Sequence, residues 1–212
     1  MEKRKNNYFI ILGIILIVFG TLGIIIYFSI RLSEQSSTTN DVSDYLYSTS
    51  NSNINYIEDK TTMNDDNTIE ENIIDPKSTF LVLEIPRINL KRSIYNIESK
   101  FNDVEYNVQI LKGSDAPNVV NGNIIFAAHN GNSKVSFFKK LYKLKEGDEL
   151  IIYYDGIKYI YNFKKVYDIK KDGEAEIYRD KNKTTITLIT CKKNIKDKQE
   201  VYIGYLDRYE KY

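Results

Sequence analysis

The chain contains one cysteine and one histidine, and both stand at the same kind of place. Cys191 closes the β-branched run TTITLIT (184–190) and is followed at once by Lys192, Lys193 and Asn194. His129 closes the run NIIFAA (123–128) and is followed by Asn130, Gly131 and Asn132. Each side chain therefore sits where an apolar strand emerges into a polar loop, and two such strand ends can converge. A single cysteine is commonly an inert small hydrophobe, but a thiol beside positive charge has a lowered pKa and a larger thiolate fraction. Thiolate and imidazole together suffice for acyl transfer, since the imidazole holds the thiolate as an ion pair and later protonates a leaving amine. One histidine and one cysteine are too few nitrogen and sulfur ligands for a zinc site of the usual type. A lone cysteine also excludes an internal disulfide framework, and there is no Gly-rich phosphate loop. No metal and no cofactor are expected.

The elements that must position these two residues begin after Pro76. Short β-branched and aromatic runs separated by turn residues read as eight strands: 80–85, 88–95, 106–111, 123–128, 149–154, 157–169, 184–190 and 201–206. That spacing predicts an all-β domain built on a closed or sandwiched, mainly antiparallel sheet. Asp155-Gly156 between two of the runs is a two-residue hairpin signal. One helix is predicted over 136–144, where Phe137, Leu141 and Leu144 recur at three- and four-residue steps.

Ahead of this domain the chain changes character twice. Residues 8–30 carry no charge, and about 20 apolar residues suffice to cross a bilayer core of roughly 30 Å. Lys3, Arg4 and Lys5 precede the stretch and Arg31 follows it, so a single-pass signal anchor is expected, with residues 1–7 cytoplasmic and the rest outside. Residues 31–76 are read as an acidic flexible linker. Between 33 and 75 ten carboxylates face one lysine among Ser, Thr and Asn, too little apolar surface to offset chain entropy. The domain at 77–212 is mildly basic, with 25 basic against 18 acidic side chains from 76 onward, while the whole chain carries +1. This balance gives no argument for a nucleic-acid partner. Outside a membrane, an unpaired thiol is exposed to oxidants, which favours a working role for Cys191.

At these residues the chain resembles the sortases, membrane-anchored cysteine transpeptidases of Gram-positive bacteria. TLITC (187–191) matches the family's Thr-Leu-x-Thr-Cys signature, and GNIIFAAHNG (122–131) resembles its histidine segment, with Ala128 where glycine is usual. LEIPRINL (83–90) resembles the opening strand and LKGSDAP (111–117) the segment before the histidine. The resemblance implies an eight-stranded β-barrel with Cys191 as nucleophile and His129 as its acid/base partner. It further implies partners: surface proteins bearing an LPxTG-like sorting signal, cleaved between Thr and Gly through a thioester, and a peptidoglycan-precursor amine that resolves the thioester. Thr190, Asn130 and Ala128 are expected beside the substrate, Thr190 stabilising an oxyanion through its hydroxyl or the adjacent backbone.

One departure matters. The family carries an arginine at the start of its last strand, and aligning EVYIGYL (200–206) with that strand puts Gln199 there, with Lys198 beside it. Arg179, before the TLITC strand, is another candidate for the missing guanidinium. A neutral amide is a weaker donor than a charged fork, which motivates a second reading, a weak or inactive module that binds a sorting signal or wall component. The short connection at 170–183 and the chain's end six residues past Leu206 favour a class A- or class D-like pattern. No acidic cluster matches the family's calcium site.

Overall fold

The computed structural model describes residues 2–55 and 78–212, with side chains in the first stretch described at 9, 11–27, 29 and 41–50. It divides into two compact units, Met1–Asn40 and Asp41–Tyr212. One helix, α1, runs Glu2–Asn55. In its part in the first unit the successive side chains Ile15, Leu16, Ile17, Val18 and Phe19, more than a full turn, are all exposed. Among the described residues no helix is long and apolar enough to cross a membrane. The span expected over 8–30 includes positions 8, 10, 28 and 30, whose side chains lie outside the described residues.

In the second unit α1 continues from Asp41 to Asn55, within the stretch 31–76 read as a flexible linker. Docking explains this where local propensity does not. Val42 is buried and Tyr45, Leu46 and Thr49 are half-buried, the i, i+3, i+4, i+7 spacing of one helical face. The Tyr45 hydroxyl donates to the Phe80 carbonyl at 2.9 Å and accepts the Asp155 N–H at 3.4 Å. Thr49 Oγ1 and the Tyr212 hydroxyl share a hydrogen bond of 2.6 Å. The remainder of the linker, from 56 on, lies outside the described residues.

All eight runs read as strands carry one. They are β1 (Thr79–Ile85), β2 (Leu90–Tyr95), β3 (Gln109–Ile110), β4 (Asn123–Ala127), β5 (Glu149–Tyr154), β6 (Ile157–Lys170), β7 (Thr185–Cys191) and β8 (Lys198–Lys211). Their order in the sheet is β2-β1-β5-β6-β8-β7-β4-β3. Every neighbouring pair is antiparallel except β4 and β7, which run parallel. The outer strands approach each other through side chains: Arg92 Nε donates to Asn107 Oδ1 at 2.9 Å, and Asn107 Nδ2 to the Ser93 carbonyl at 2.8 Å. The sheet is thus a nearly closed barrel. Asp155 and Gly156 join β5 to β6 with φ of 51° and 69°, the two left-handed residues a type I′ turn requires.

The two faces of the sheet follow the period-2 alternation of strands. Ile186 and Leu188 of β7 point into the barrel with Phe126, Leu150 and Tyr161, whereas Ile189 packs outside it with Ile125, Ile169, Val201 and Ile203. The helix expected over 136–144 is corrected to turns and a single 3-10 turn at Leu141–Lys143. Its apolar side chains still serve the core, with Phe138 and Leu141 almost wholly buried. Short-range packing of two side chains needs no continuous helix.

Gly204, where β8 crosses the barrel wall, is there for space. A methyl group on it would lie 2.9 Å from Ile186 Cγ2, 3.0 Å from Leu150 Cδ1 and 3.1 Å from the Asn162 carbonyl oxygen. Gly204→Ala is expected to lower stability by about 1–3 kcal/mol through overpacking, seen as a lower urea midpoint at unchanged slope. An unchanged midpoint would show that the wall yields at this point.

Candidate active site

The parallel register of β4 and β7 sets Ala127 opposite Ile189, and the Ala128 N–H extends the ladder to the Ile189 carbonyl at 3.3 Å. Two residues past this pair, following the two strands, are His129 and Cys191. Both leave the sheet at the same end of the barrel and both line one groove of about 430 Å³, with Ala128, Thr190 and Gln199. Outward-facing Leu111 and Ile189 form its apolar floor. A larger open depression of about 620 Å³ lies at the other end of β7, beside Thr184, and holds neither a thiol nor an imidazole.

The two threonines of TLITC are fasteners between β7 and β4. Thr187 Oγ1 donates to Asn123 Oδ1 at 2.8 Å, and Thr190 Oγ1 donates to the Ala128 carbonyl at 2.7 Å, both bonds buried. The expectation that the Thr190 hydroxyl faces an oxyanion is therefore corrected, because its proton is committed to Ala128 and its side chain is buried. Asn130 adds a third tie, Nδ2 donating to the Cys191 carbonyl at 3.0 Å. It joins the two loops rather than contacting the imidazole. Ala128 is itself buried with the barrel core.

His129 Nε2 lies 3.1 Å from Glu105 Oε1. An ionised carboxylate only accepts, so Nε2 carries the proton in this contact and Nδ1 is the nitrogen free of Glu105. On the other side of the groove, Lys171 Nζ donates to Cys191 Sγ at 3.5 Å. Neither Glu105 nor Lys171 was singled out in the sequence. Glu105 lies 24 positions before the histidine in an irregular segment, and Lys171 is one of several lysines after β6; no spacing rule marks either.

The three candidates for the missing guanidinium separate cleanly. Gln199 is the direct cross-strand partner of Cys191 and so shares its face of the sheet. Lys198 belongs to the opposite face, where its ammonium is 3.9 Å from Asp168 Oδ2, a carboxylate that Lys192 also engages. Arg179 is corrected as a candidate: Nη1 donates to the Asn121 carbonyl at 3.0 Å and the Lys183 carbonyl at 3.3 Å, and reaches Thr185 Oγ1 at 3.5 Å. Thr185 and Cys191 are the two ends of β7, roughly 20 Å apart at strand rise.

The segment from 171 to 184 that borders the groove contains no helix. The Tyr167 hydroxyl pins it, accepting the Tyr178 N–H at 2.6 Å and donating to the Glu176 carbonyl at 3.2 Å. Burial pushes the Tyr167 phenol above its ordinary pKa, partly offset by the Tyr178 N–H, so the donor keeps its proton across the physiological range. Among the described residues no group of three or more His, Cys, Asp or Glu is placed to hold a metal ion.

A family model described as Sortase domain matches residues 83–207. No curated protein matches the chain. Among solved structures, sortase A of Listeria monocytogenes superposes with a TM-score of 0.53 at 21% identity, over 63% of this chain and 90% of that one. Sortase C1 of Streptococcus agalactiae gives 0.55 at 25% identity, over 64% and 70%. A Clostridium perfringens sortase D5 transpeptidase gives 0.53 at 20% identity, over 62% and 80%.

The fastener role of Thr187 has a direct consequence. Thr187→Val keeps the shape but leaves Asn123 Oδ1 buried without its donor, which is expected to cost about 1–3 kcal/mol. Chemical denaturation of the full chain measures it. A variant as stable as the parent would show that the hydrogen bond does not hold the two strands in register.

Proposed function

The chain belongs to the sortase family, and on that premise we propose that it is a membrane-anchored cysteine transpeptidase joining surface proteins to a cell-wall amine. The observation that carries this reading is the arrival of His129 and Cys191 at the ends of two parallel strands over one groove. An LPxTG-like sorting signal lies along the apolar floor. The Cys191 thiolate attacks the Thr carbonyl carbon, the C–N bond to Gly breaks, and protonated His129 gives its proton to the departing amine. The acyl group remains on sulfur as a thioester. An amine of a peptidoglycan precursor then attacks it, the imidazole takes up the amine's proton, and the thiolate is restored. The Gln199 amide stands where it can donate to the carbonyl oxygen as charge gathers on it. One such donor is typically worth about a hundred- to thousand-fold in rate.

The anchor in this proposal is the uncharged stretch 8–30 within α1, supported by the apolar side chains exposed all round that helix and by Lys3, Arg4 and Lys5 ahead of it. It places the N-terminus in the cytoplasm and the barrel outside. The connection between β6 and β7, without a helix, supports a class A- or class D-like enzyme.

Cys191→Ala is expected to abolish cleavage of an LPxTG-like peptide, and His129→Ala to lower kcat/KM by about 10²- to 10⁴-fold, measured by chromatography of the released Gly-terminated fragment. Cleavage surviving in Cys191→Ala would remove the nucleophile assignment. A parent that binds the peptide without cleaving it would instead make the chain a binding module, the reading that neutral Gln199 favours.

A further inference from the structure

We propose that Lys171 is a catalytic residue, the cationic partner of Cys191 that supplies the positive charge which neutral Gln199 lacks. This rests on the sortase reading above for its function, though the contact itself does not. Lys171 Nζ donates to Cys191 Sγ at 3.5 Å, directly on the reacting atom. The backbone sets the approach. Ile169 of β6, Gln199 of β8 and Cys191 of β7 lie in one row across the sheet. The Lys171 N–H donates to the Asp197 carbonyl at 2.9 Å, which carries the β6–β8 ladder one step beyond Lys170 and fixes Lys171 at the rim of the groove.

Three other cations considered for the site are committed elsewhere. Lys192 and Lys198 both face Asp168, and Arg179 is held at the far end of β7. Among the described residues no carboxylate forms an ion pair with Lys171. Its ammonium is the charge in contact with Cys191 Sγ, and a nearby cation favours the thiolate. The remaining titratable groups of the groove are His129 and Glu174, with Glu105 on the other side of the imidazole.

In the reaction Lys171 moves no proton. When Sγ bonds to the carbonyl carbon, the negative charge passes from sulfur to the carbonyl oxygen. When the tetrahedral species collapses, the C–N bond breaks and the proton on the leaving amine comes from His129.

Cys191 is the single cysteine of the chain, so iodoacetamide alkylation of the full chain reads this thiol alone. Lys171→Met keeps most of the stem and removes the charge; Lys171→Arg keeps the charge. Lys171→Met is expected to slow alkylation of Cys191 at neutral pH several-fold, because the cation in contact with the sulfur favours its reactive thiolate. Peptide cleavage is expected to lose about tenfold or more in kcat with KM little changed, and Lys171→Arg to restore most of both. Alkylation of Lys171→Met at the parent rate, with cleavage also at the parent rate, would overturn the proposal while leaving the sortase reading intact. Slowed alkylation, restored by Lys171→Arg, in a chain that cleaves no sorting-signal peptide would uphold the cation assignment while the sortase reading fails.

Discussion

The parallel pairing of β4 with β7 is the constraint on which everything else depends. It is the one parallel neighbour relation in a sheet whose other pairs are antiparallel, and it is what brings two residues 62 positions apart in sequence to the same end of the barrel. Side chains alternate between faces, so a slip of one residue would turn His129 away from Cys191. The hydrogen bonds of Thr187, Thr190 and Asn130 all cross from one strand, or the residues just past it, to the other along this seam. They make the seam specific in a way that the apolar Ile and Leu side chains alone do not. The barrel core inside and the smaller apolar cluster outside pin the same strands from their two faces.

Around Cys191, charge is distributed with the same economy. Asp168 gathers Lys192 and Lys198 on the face away from the thiol, and backbone carbonyls hold Arg179 at the opposite strand end. The groove holds the Gln199 amide, an imidazole braced by Glu105, the Glu174 carboxylate and an ammonium on the sulfur. A guanidinium offers a rigid fork, whereas an ammonium on a flexible stem acts as a point charge. Contact with a sulfur atom needs only the latter.

Much of this was legible in the chain. Strands announce themselves by alternation and turn residues, and all eight runs from 80 to 206 carry one because each has its own apolar pattern. Cys191 and His129 stood out since each is single and each closes a strand. What stayed hidden depends on tertiary contact. The helical step at 137, 141 and 144 is real as spacing, yet a single 3-10 turn that buries Leu141, with Phe137 and Leu144 packed partly buried against the core, satisfies it. The polar stretch after residue 31 lacks helical signals, and its order through Asn55 comes from Tyr45 and Thr49 bonding to partners more than 30 and 160 positions away. The Thr190 hydroxyl could not be assigned a direction before Ala128 was placed beside it. Glu105 and Lys171 come from segments without a motif, and only the fold brings them to the site.

On the proposed reading, Cys191 and His129, brought to one end of the barrel by this seam, form an acyl-transfer centre. Intact-mass spectrometry of the full chain incubated with an LPxTG-like peptide, with and without triglycine, tests it most directly. The account expects a thioester adduct on Cys191 that disappears as a ligated product forms with the amine. No adduct in a folded chain, or the same hydrolysed product with and without triglycine, would contradict it.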